Sequence, residues 1–259
     1  MRLHGACIMT LAAASVATAA FGAEPGATRY GKFELQWRLR AEAVDDAALA
    51  RDSNATTLRT RVAWSSPARA GWQAAIELDD VRALDRDAYF STVDGPPDRP
   101  VIADPVGTNL NRAVLEYKRR DFDLALGRQR LTLDDQRFVG NVGWRQNEQT
   151  YDGAALRWRP LAKTELTLAW IGNVNRIYGP DAGTQAAYWH GDSWLLHGKR
   201  DLGKAGTLAA FCYALDFEDS PANSSATLGF AWRGKAAAGG GWSLPWAVSF
   251  ASQRDHGRN

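Results

Sequence analysis

Arginines separated by a single residue recur in this 259-residue sequence. Outside residues 127–152, three such pairs occur: Arg38 and Arg40, Arg59 and Arg61, and Arg157 and Arg159. On an extended strand, residues two apart project from the same face, so each pair places two guanidinium groups side by side. Guanidinium groups stay charged and bind carboxylates through two parallel hydrogen bonds. The spacing therefore predicts a surface that binds anionic solutes transiently and makes or breaks no covalent bond.

A second concentration of arginine lies in residues 127–152, which are too polar for a segment lying in lipid. Folded inward, this segment would narrow a pore and present four arginines to a passing solute: Arg128, Arg130, Arg137 and Arg145. Two interpretations remain open. The segment forms a constriction that binds anions, or its acidic and basic side chains pair with one another in a surface loop. The same choice, anion binding or mutual pairing, holds for each arginine on the strands.

An enzyme interpretation rests on His190, Ser193 and His197, because some outer-membrane barrels are hydrolases that use serine and histidine. On an extended strand, Ser193 and His197 share a face but lie about 13 Å apart, too far for a nucleophile and its base. His190 could meet Ser193 across a turn, with Asp192 as the one nearby acid that could orient it. We predict that the protein is not an enzyme, with an outer-membrane lipid hydrolase as the alternative.

Metal and redox chemistry have little support in the sequence. The carboxylates of Asp134 and Asp135, and of Asp85 and Asp87, lack the ligand spacing of a calcium loop. Of the two cysteines, Cys7 lies in the N-terminal leader and the other stands alone, which excludes a CxxC site. We predict neither a metal nor a cofactor.

The arginine pairs lie on segments in which apolar and charged residues alternate. In residues 31–44 the odd positions are apolar and the even positions are mostly charged. Similar alternation occurs in ten further segments: residues 58–64, 72–79, 113–117, 122–126, 154–158, 166–170, 193–199, 211–217, 228–232 and 246–250. In 193–199 the phase is ambiguous because Leu195 and Leu196 are adjacent. In 211–217 we predict that Phe211 and Tyr213 face lipid and that Cys212 faces inward.

The connections between these eleven segments alternate in length. Short joins occur at 65–71, 118–121, 159–164, 200–206 and 234–241, and long joins at 44–56, 80–109, 128–150, 172–192 and 216–226. Outer-membrane barrels have short periplasmic turns and long external loops. We therefore predict an all-β fold, an antiparallel transmembrane β-barrel. Because bacterial barrels have an even strand number, we expect the eleven strands to be part of a barrel of about 16 to 18 strands, incomplete at its C-terminus.

The N-terminus supports export from the cytoplasm. Arg2 precedes an apolar stretch that ends in small residues, which is typical of a secretory signal peptide. We predict a signal peptide at 1–23 and an outer-membrane barrel at 24–259. The formal net charge of +2 argues against nucleic acid as a partner. A secreted soluble β-sheet binding protein remains a further alternative, since alternation with one buried face is how any antiparallel sheet appears in sequence.

Two blocks of the sequence resemble the alginate-export family of outer-membrane proteins. They are ADPVGTNLNRAVLEY at residues 103–117 and LGRQRLTLDDQRFVGNVGWRQNEQTYDGA at residues 126–154. The resemblance extends more loosely over nearly all of the mature chain. It implies a large porin-like barrel with a strongly basic lumen, and passive passage of an anionic polysaccharide or its oligomers, such as alginate, through the bacterial outer membrane.

Together these observations predict an outer-membrane porin-like channel for anionic solutes. Its predicted partners are outer-membrane lipid and an anionic solute or polysaccharide, with periplasmic export components as further candidates. The predicted substrate-binding residues are arginines on the polar faces of the strands and in the polar segment: Arg38, Arg40, Arg59, Arg61, Arg112, Arg128, Arg130, Arg137, Arg145, Arg157 and Arg159.

Overall fold

A computed structural model describes residues 11–12, 18–19, 29–181, 183–238 and 240–257. The predicted signal peptide lies outside the described residues except for two dipeptides. These dipeptides, Leu11–Ala12 and Thr18–Ala19, pair antiparallel with the first long strand. The prediction of a cleaved leader therefore stays a prediction.

Eleven long strands form one antiparallel sheet in which each strand pairs with its neighbours in the chain. They are β1 Lys32–Val44, β2 Ser53–Ser65, β3 Trp72–Ala83, β4 Gly107–Lys118, β5 Phe122–Gln129, β6 Thr150–Trp158, β7 Thr164–Asn175, β8 Tyr188–Asp201, β9 Thr207–Leu215, β10 Ser225–Ala237 and β11 Ser243–Asp255. Their number, order and antiparallel pairing confirm the prediction. Within the described residues, β11 ends one side of the sheet and does not pair with β1.

Loops alternate with turns along the sheet as predicted. We name the long loops L1 (45–52), L2 (84–106), L3 (130–149), L4 (176–187) and L5 (216–224), and the turns T1 (66–71), T2 (119–121), T3 (159–163), T4 (202–206) and T5 (238–242). The strands run further than the alternation predicts, because both β1 and β2 continue in register as far as the Val44 and Ser53 pair. In the part of the chain described, no helix is long and apolar enough to cross a membrane.

One face of the sheet, the outer face, exposes large apolar side chains. Val62 and Leu78 pair across β2 and β3, and both are exposed. Burying such side chains in lipid rather than water stabilises a strand by about 1.5 to 3 kcal/mol each. Aromatic rings collect at the turn end of this face, as in Trp72 and Tyr117, whose ring centroids lie 4.7 Å apart. This arrangement matches the interfacial aromatic girdle of membrane barrels.

L3 packs against part of the other face, the inner face, and here one prediction is wrong. Phe211 and Tyr213 of β9 are buried on the inner face, whereas Cys212 is exposed and pairs with the outward Leu196. The physical reason is that β9 has apolar side chains on both faces. Those on the outer face point toward lipid, and those on the inner face pack against L3. The ambiguous Leu195 and Leu196 have the same explanation, because Leu195 points inward and is 0% exposed while Leu196 points outward.

Candidate functional site

L3 lies along the inner face and contacts both halves of the sheet. Residues 141–148 contact β1, β2 and β4 through hydrogen bonds and ion pairs, and we call this part the polar anchor. Residues 131–139 pack on the inner faces of β7 to β9, with further polar contacts on β8 and β10, and we call this part the apolar anchor. The sequence left open whether this segment folds inward, and its contacts with inner-face residues decide that it does.

Gln146 is the centre of the polar anchor and is 0% exposed. Its side-chain amide donates to the hydroxyl of Thr57 at 2.9 Å and to the backbone oxygens of Thr57 at 3.0 Å and Arg38 at 3.2 Å. Its backbone N–H donates to the Asp104 carboxylate at 2.8 Å. A buried amide with all these partners costs little desolvation and holds one geometry.

Arg38 and Arg40 extend the polar anchor from β1. The Arg38 guanidinium donates to Gln146 Oε1 at 3.0 Å and to the backbone oxygens of residues 143, 144 and 145. Arg40 pairs with Glu42 at 2.6 Å and with Asp104. Arg145 of L3 reaches the same Glu42 at 2.9 Å. The guanidinium of Arg38 therefore binds the loop backbone and is not held by a carboxylate.

A second part of the polar anchor centres on Glu148, whose side chain is 7% exposed. Arg61 lies 3.1 Å from its carboxylate, Arg59 lies at 3.7 Å, and Arg130 also pairs with it. Burial alone would raise the pKa of Glu148, but the attraction of Arg61 and Arg130 outweighs it and lowers the pKa to about 2. Glu148 is therefore ionised throughout the physiological range.

The remaining acids on the inner face near the polar anchor also have guanidinium partners. Arg61 donates two hydrogen bonds of 2.7 Å to Asp79. Glu77 pairs with Arg130 and lies 3.7 Å from Arg112, which also binds Glu116. In all, six arginines meet six carboxylates: Arg40, Arg59, Arg61, Arg112, Arg130 and Arg145 with Glu42, Glu77, Asp79, Asp104, Glu116 and Glu148. Arg38 joins this network through Gln146 and the backbone of L3. Most of the predicted arginines are thus paired within the wall.

The other four predicted arginines lie outside this network. Arg128 belongs to β5 and lies on the outer face, like Leu126 two residues earlier, where it binds Asp152. The prediction that Arg128 faces the interior is therefore wrong. Arg159 binds Asp123 at the turn end through hydrogen bonds of 2.8 and 2.9 Å. Arg137 is exposed on L3. Arg157 is on the inner face of β6, and its side chain is 52% exposed beside Glu165 at 3.6 Å.

The apolar anchor holds the first half of L3. Leu131, Phe138 and Val139 pack against inner-face residues of β7 to β9, and the Phe138 ring lies 5.4 Å from that of Phe211. Two polar contacts border this cluster: His197 Nε2 lies 2.9 Å from Asp134, and Arg233 donates to Asp135 at 2.8 Å. Sequence reasoning missed this anchor, because it assigned Phe211 and Tyr213 to the lipid face of the strand.

The residues of the hydrolase alternative do not come together in the described structure. The hydroxyl of Ser193 accepts from the backbone N–H of Asp216 at 2.9 Å. His190 pairs with Asp219 at 2.8 Å, and His197 pairs with Asp134. Neither histidine is thus hydrogen-bonded to Ser193. Among the described residues, no group of three or more His, Cys, Asp or Glu could hold a metal ion.

Two residues of the site were missed by sequence reasoning. Asp104 is fully buried, and its carboxylate pairs with Arg40 and accepts a hydrogen bond from the backbone N–H of Gln146. Its signal was a single acid within an otherwise apolar run, VIADPV at residues 101–106. Trp144 of L3 is 50% exposed, with the Arg145 guanidinium 4.0 Å from its ring centroid. An exposed aromatic within a polar loop was its signal.

An antiparallel sheet with a lipid-facing outer side and a loop folded onto its inner side defines an outer-membrane β-barrel of the porin class. The Alginate export family matches residues 29–177, more than half of the chain, and the chain belongs to that family. The predicted fold class, family resemblance and location in the bacterial outer membrane are confirmed. None of the curated proteins matches the chain.

Solved structures share the fold at low sequence identity. OccAB1 of Acinetobacter baumannii superposes with a TM-score of 0.65 at 12% identity over 90% of this chain. OccD3 of Pseudomonas aeruginosa superposes with a TM-score of 0.63 at 13% identity over 93% of it. The chain covers 54% and 52% of these two proteins, so it spans about half of their length.

Proposed function

We propose that the complete protein is a non-enzymatic outer-membrane channel that passes anionic solutes, with L3 as its constriction. The observation that carries this proposal is the inward position of L3, tied by Gln146 and Glu148 to the polar inner face. A loop held on the inner wall narrows the path through a barrel, and its side chains then meet every solute. The family description names alginate export, and alginate is a carboxylated polysaccharide.

Anion preference is supported by the guanidinium groups that keep access to solvent. Arg157 faces inward with half of its side chain exposed, and Arg137 is exposed on L3. On the inner face around the polar anchor, seven arginines including Arg38 also outnumber the six carboxylates of the network. Paired guanidiniums bind solute weakly, because the carboxylate already satisfies their N–H groups. The arginines that discriminate anions are therefore the exposed ones, and the paired ones hold the constriction in shape.

The test is the ion preference of the full-length gene product in planar bilayers. In a potassium chloride gradient, the reversal potential should show chloride preference, and the double substitution Arg137→Gln and Arg157→Gln should move the permeability ratio toward one. Arg82→Gln is the control for each single substitution, because it removes one guanidinium charge from an exposed pair with Asp80 on the outer face of β3. Cation preference of the unmodified protein, or an equal effect of the control, would refute the anion proposal.

A further inference from the structure

The turn end of the inner face carries three lysines around a recess. The recess has a volume of about 900 Å³ and lies between L3 and the strands β8 to β11. Lys199, Lys204 and Lys235 line it, and we call these residues the lysine recess. None of them was among the residues that the sequence singled out.

The sheet register places the side chains of Lys199 and Lys235 on the inner face. Lys199 pairs with Ala209, and Ala209 pairs with Ala231, so small side chains continue the inward row next to Lys199. Lys235 pairs with Pro245 on the far side. Small residues leave space that longer side chains would occupy, which explains why the wall has a depression here. Lys204 extends the same charged surface into turn T4.

The three ammonium groups are available for binding. Within the described residues, none of them lies within 4 Å of a carboxylate. Lys163, at the same end of the sheet, is different, since it pairs with Asp201 at 3.4 Å. Arg233, which also lines the recess, is held by Asp135. The lysine recess thus differs from the polar anchor, in which nearly every arginine has a carboxylate partner.

The charge of the connections favours anions at the same end. The turns T1 to T5 contain six cationic residues and one acid: Arg69, Arg119, Arg120, Arg159, Lys163 and Lys204 with Asp121. L1, L2, L4 and L5 together contain twelve acids and four arginines. Clustered charge of one sign raises the local concentration of its counterion and speeds its association. An anion is therefore attracted to the turn end, which is periplasmic in such barrels, and repelled at the loop end.

We propose that the lysine recess is a binding site for carboxylate-bearing oligosaccharides at the periplasmic mouth of the channel, occupied before the solute passes the polar anchor of L3. This inference rests on the proposed channel function and names where the solute is first bound. Ammonium groups are compact, well hydrated and mobile on their stems, so they attract carboxylates without fixing one geometry. Such a site releases its solute onward, as conduction requires.

The experiment measures blockade of the full-length channel by trigalacturonate, added to one side of a planar bilayer at a time. A biotin tag in L5, recognised by streptavidin, marks the outer side. Replacing the three lysines together by glutamine should lower the association rate from the periplasmic side about tenfold, the low end of electrostatic steering. The rate from the outer side should change much less.

Two further variants make the result decisive. The triple replacement of the same lysines by arginine retains the charge and should retain the rate, which separates loss of charge from damage to the fold. Arg200→Gln removes a neighbouring cation that lies on the outer face of β8, where Arg200 pairs with Leu208. The association rate of trigalacturonate should change little in this variant. An unchanged rate in the glutamine variant, or an equal loss in Arg200→Gln, would overturn the proposal.

Failure of this inference is distinguishable from failure of the proposed function. If the reversal potential still shows anion preference while the glutamine variant binds trigalacturonate at the original rate, the lysine recess alone is refuted. If the unmodified channel prefers cations, the proposed anion channel is refuted as well.

Discussion

The two anchors hold L3 by different interactions, one by buried ion pairs and hydrogen bonds and the other by apolar packing. The polar anchor buries Glu148 and Gln146 among guanidinium groups, so its stability depends on every charge keeping its partner. The apolar anchor packs Phe138 and its neighbours on an apolar wall, where contacts are individually weak and additive. We therefore expect the polar anchor to open in one step when a single charge is lost, and the apolar anchor to loosen gradually.

The largest expected effect is from Glu148→Gln. Removing this charge leaves Arg61 and Arg130 partly uncompensated in a buried position, which costs about 3 to 5 kcal/mol. Hydrogen exchange should show lost protection across residues 141–148 and nearly unchanged protection across 131–139. Glu165→Gln is the matched control, because it makes the same change in an exposed pair with Arg157 and should alter little. Equal loss in both halves of L3 would contradict the independence of the anchors.

The next effect in size is from Phe138→Ala. The substitution removes the ring that packs on Phe211 and Tyr213 and should destabilise the apolar anchor by about 2 to 3 kcal/mol, since Phe138 is only partly buried. Protection should then fall in residues 131–139 while 141–148 stays protected. Leu84→Ala, at an exposed position of L2, serves as the control. The comparison fails if the polar half opens instead.

Acid should release the polar anchor progressively as the pH falls below about 5. The pKa of Glu148 is lowered to about 2, so its ionisation stabilises the folded state above its ordinary value of 4.5, and this stability is lost as the pH falls toward 2. Channel conductance should therefore be constant from neutral pH to about pH 5 and rise below it as the constriction loosens. Glu148→Gln should abolish this rise, and Phe138→Ala should keep it. A transition near neutral pH would point to a different group.

The smallest effect is expected outside L3, at the pair between Arg51 of L1 and Asp98 of L2. Both side chains are about half exposed, although the Arg51 Nε donates to Asp98 at only 2.8 Å. Exposed pairs of this kind contribute little, because solvent screens them. Arg51→Ala should leave the exchange of L3 and the conductance unchanged. A large effect would mean that L1 and L2 support the constriction.

Much of the architecture was predictable because it depends on local periodicity. Alternation in residues 31–44 predicted the strand Lys32–Val44, and the lengths of the joins predicted which ends carry loops. The bounds were less accurate, since Gly107–Lys118 begins well before its predicted segment. Apart from Leu110, its outer half is polar, and a register shift interrupts the alternation there, but it still pairs with β3.

Residue alternation and join lengths were enough to predict eleven antiparallel strands, the residues that share a face, and the excess of arginine on the polar face. The contacts of Phe211 and Tyr213 with L3, and the pairing of Arg61 with Glu148 across 87 residues of chain, became visible in the folded chain alone. The physical reason is that a period of two assigns residues to the same face without saying what covers that face. Ion pairing between distant residues depends on where the loop lies, and that position follows from packing against the whole sheet.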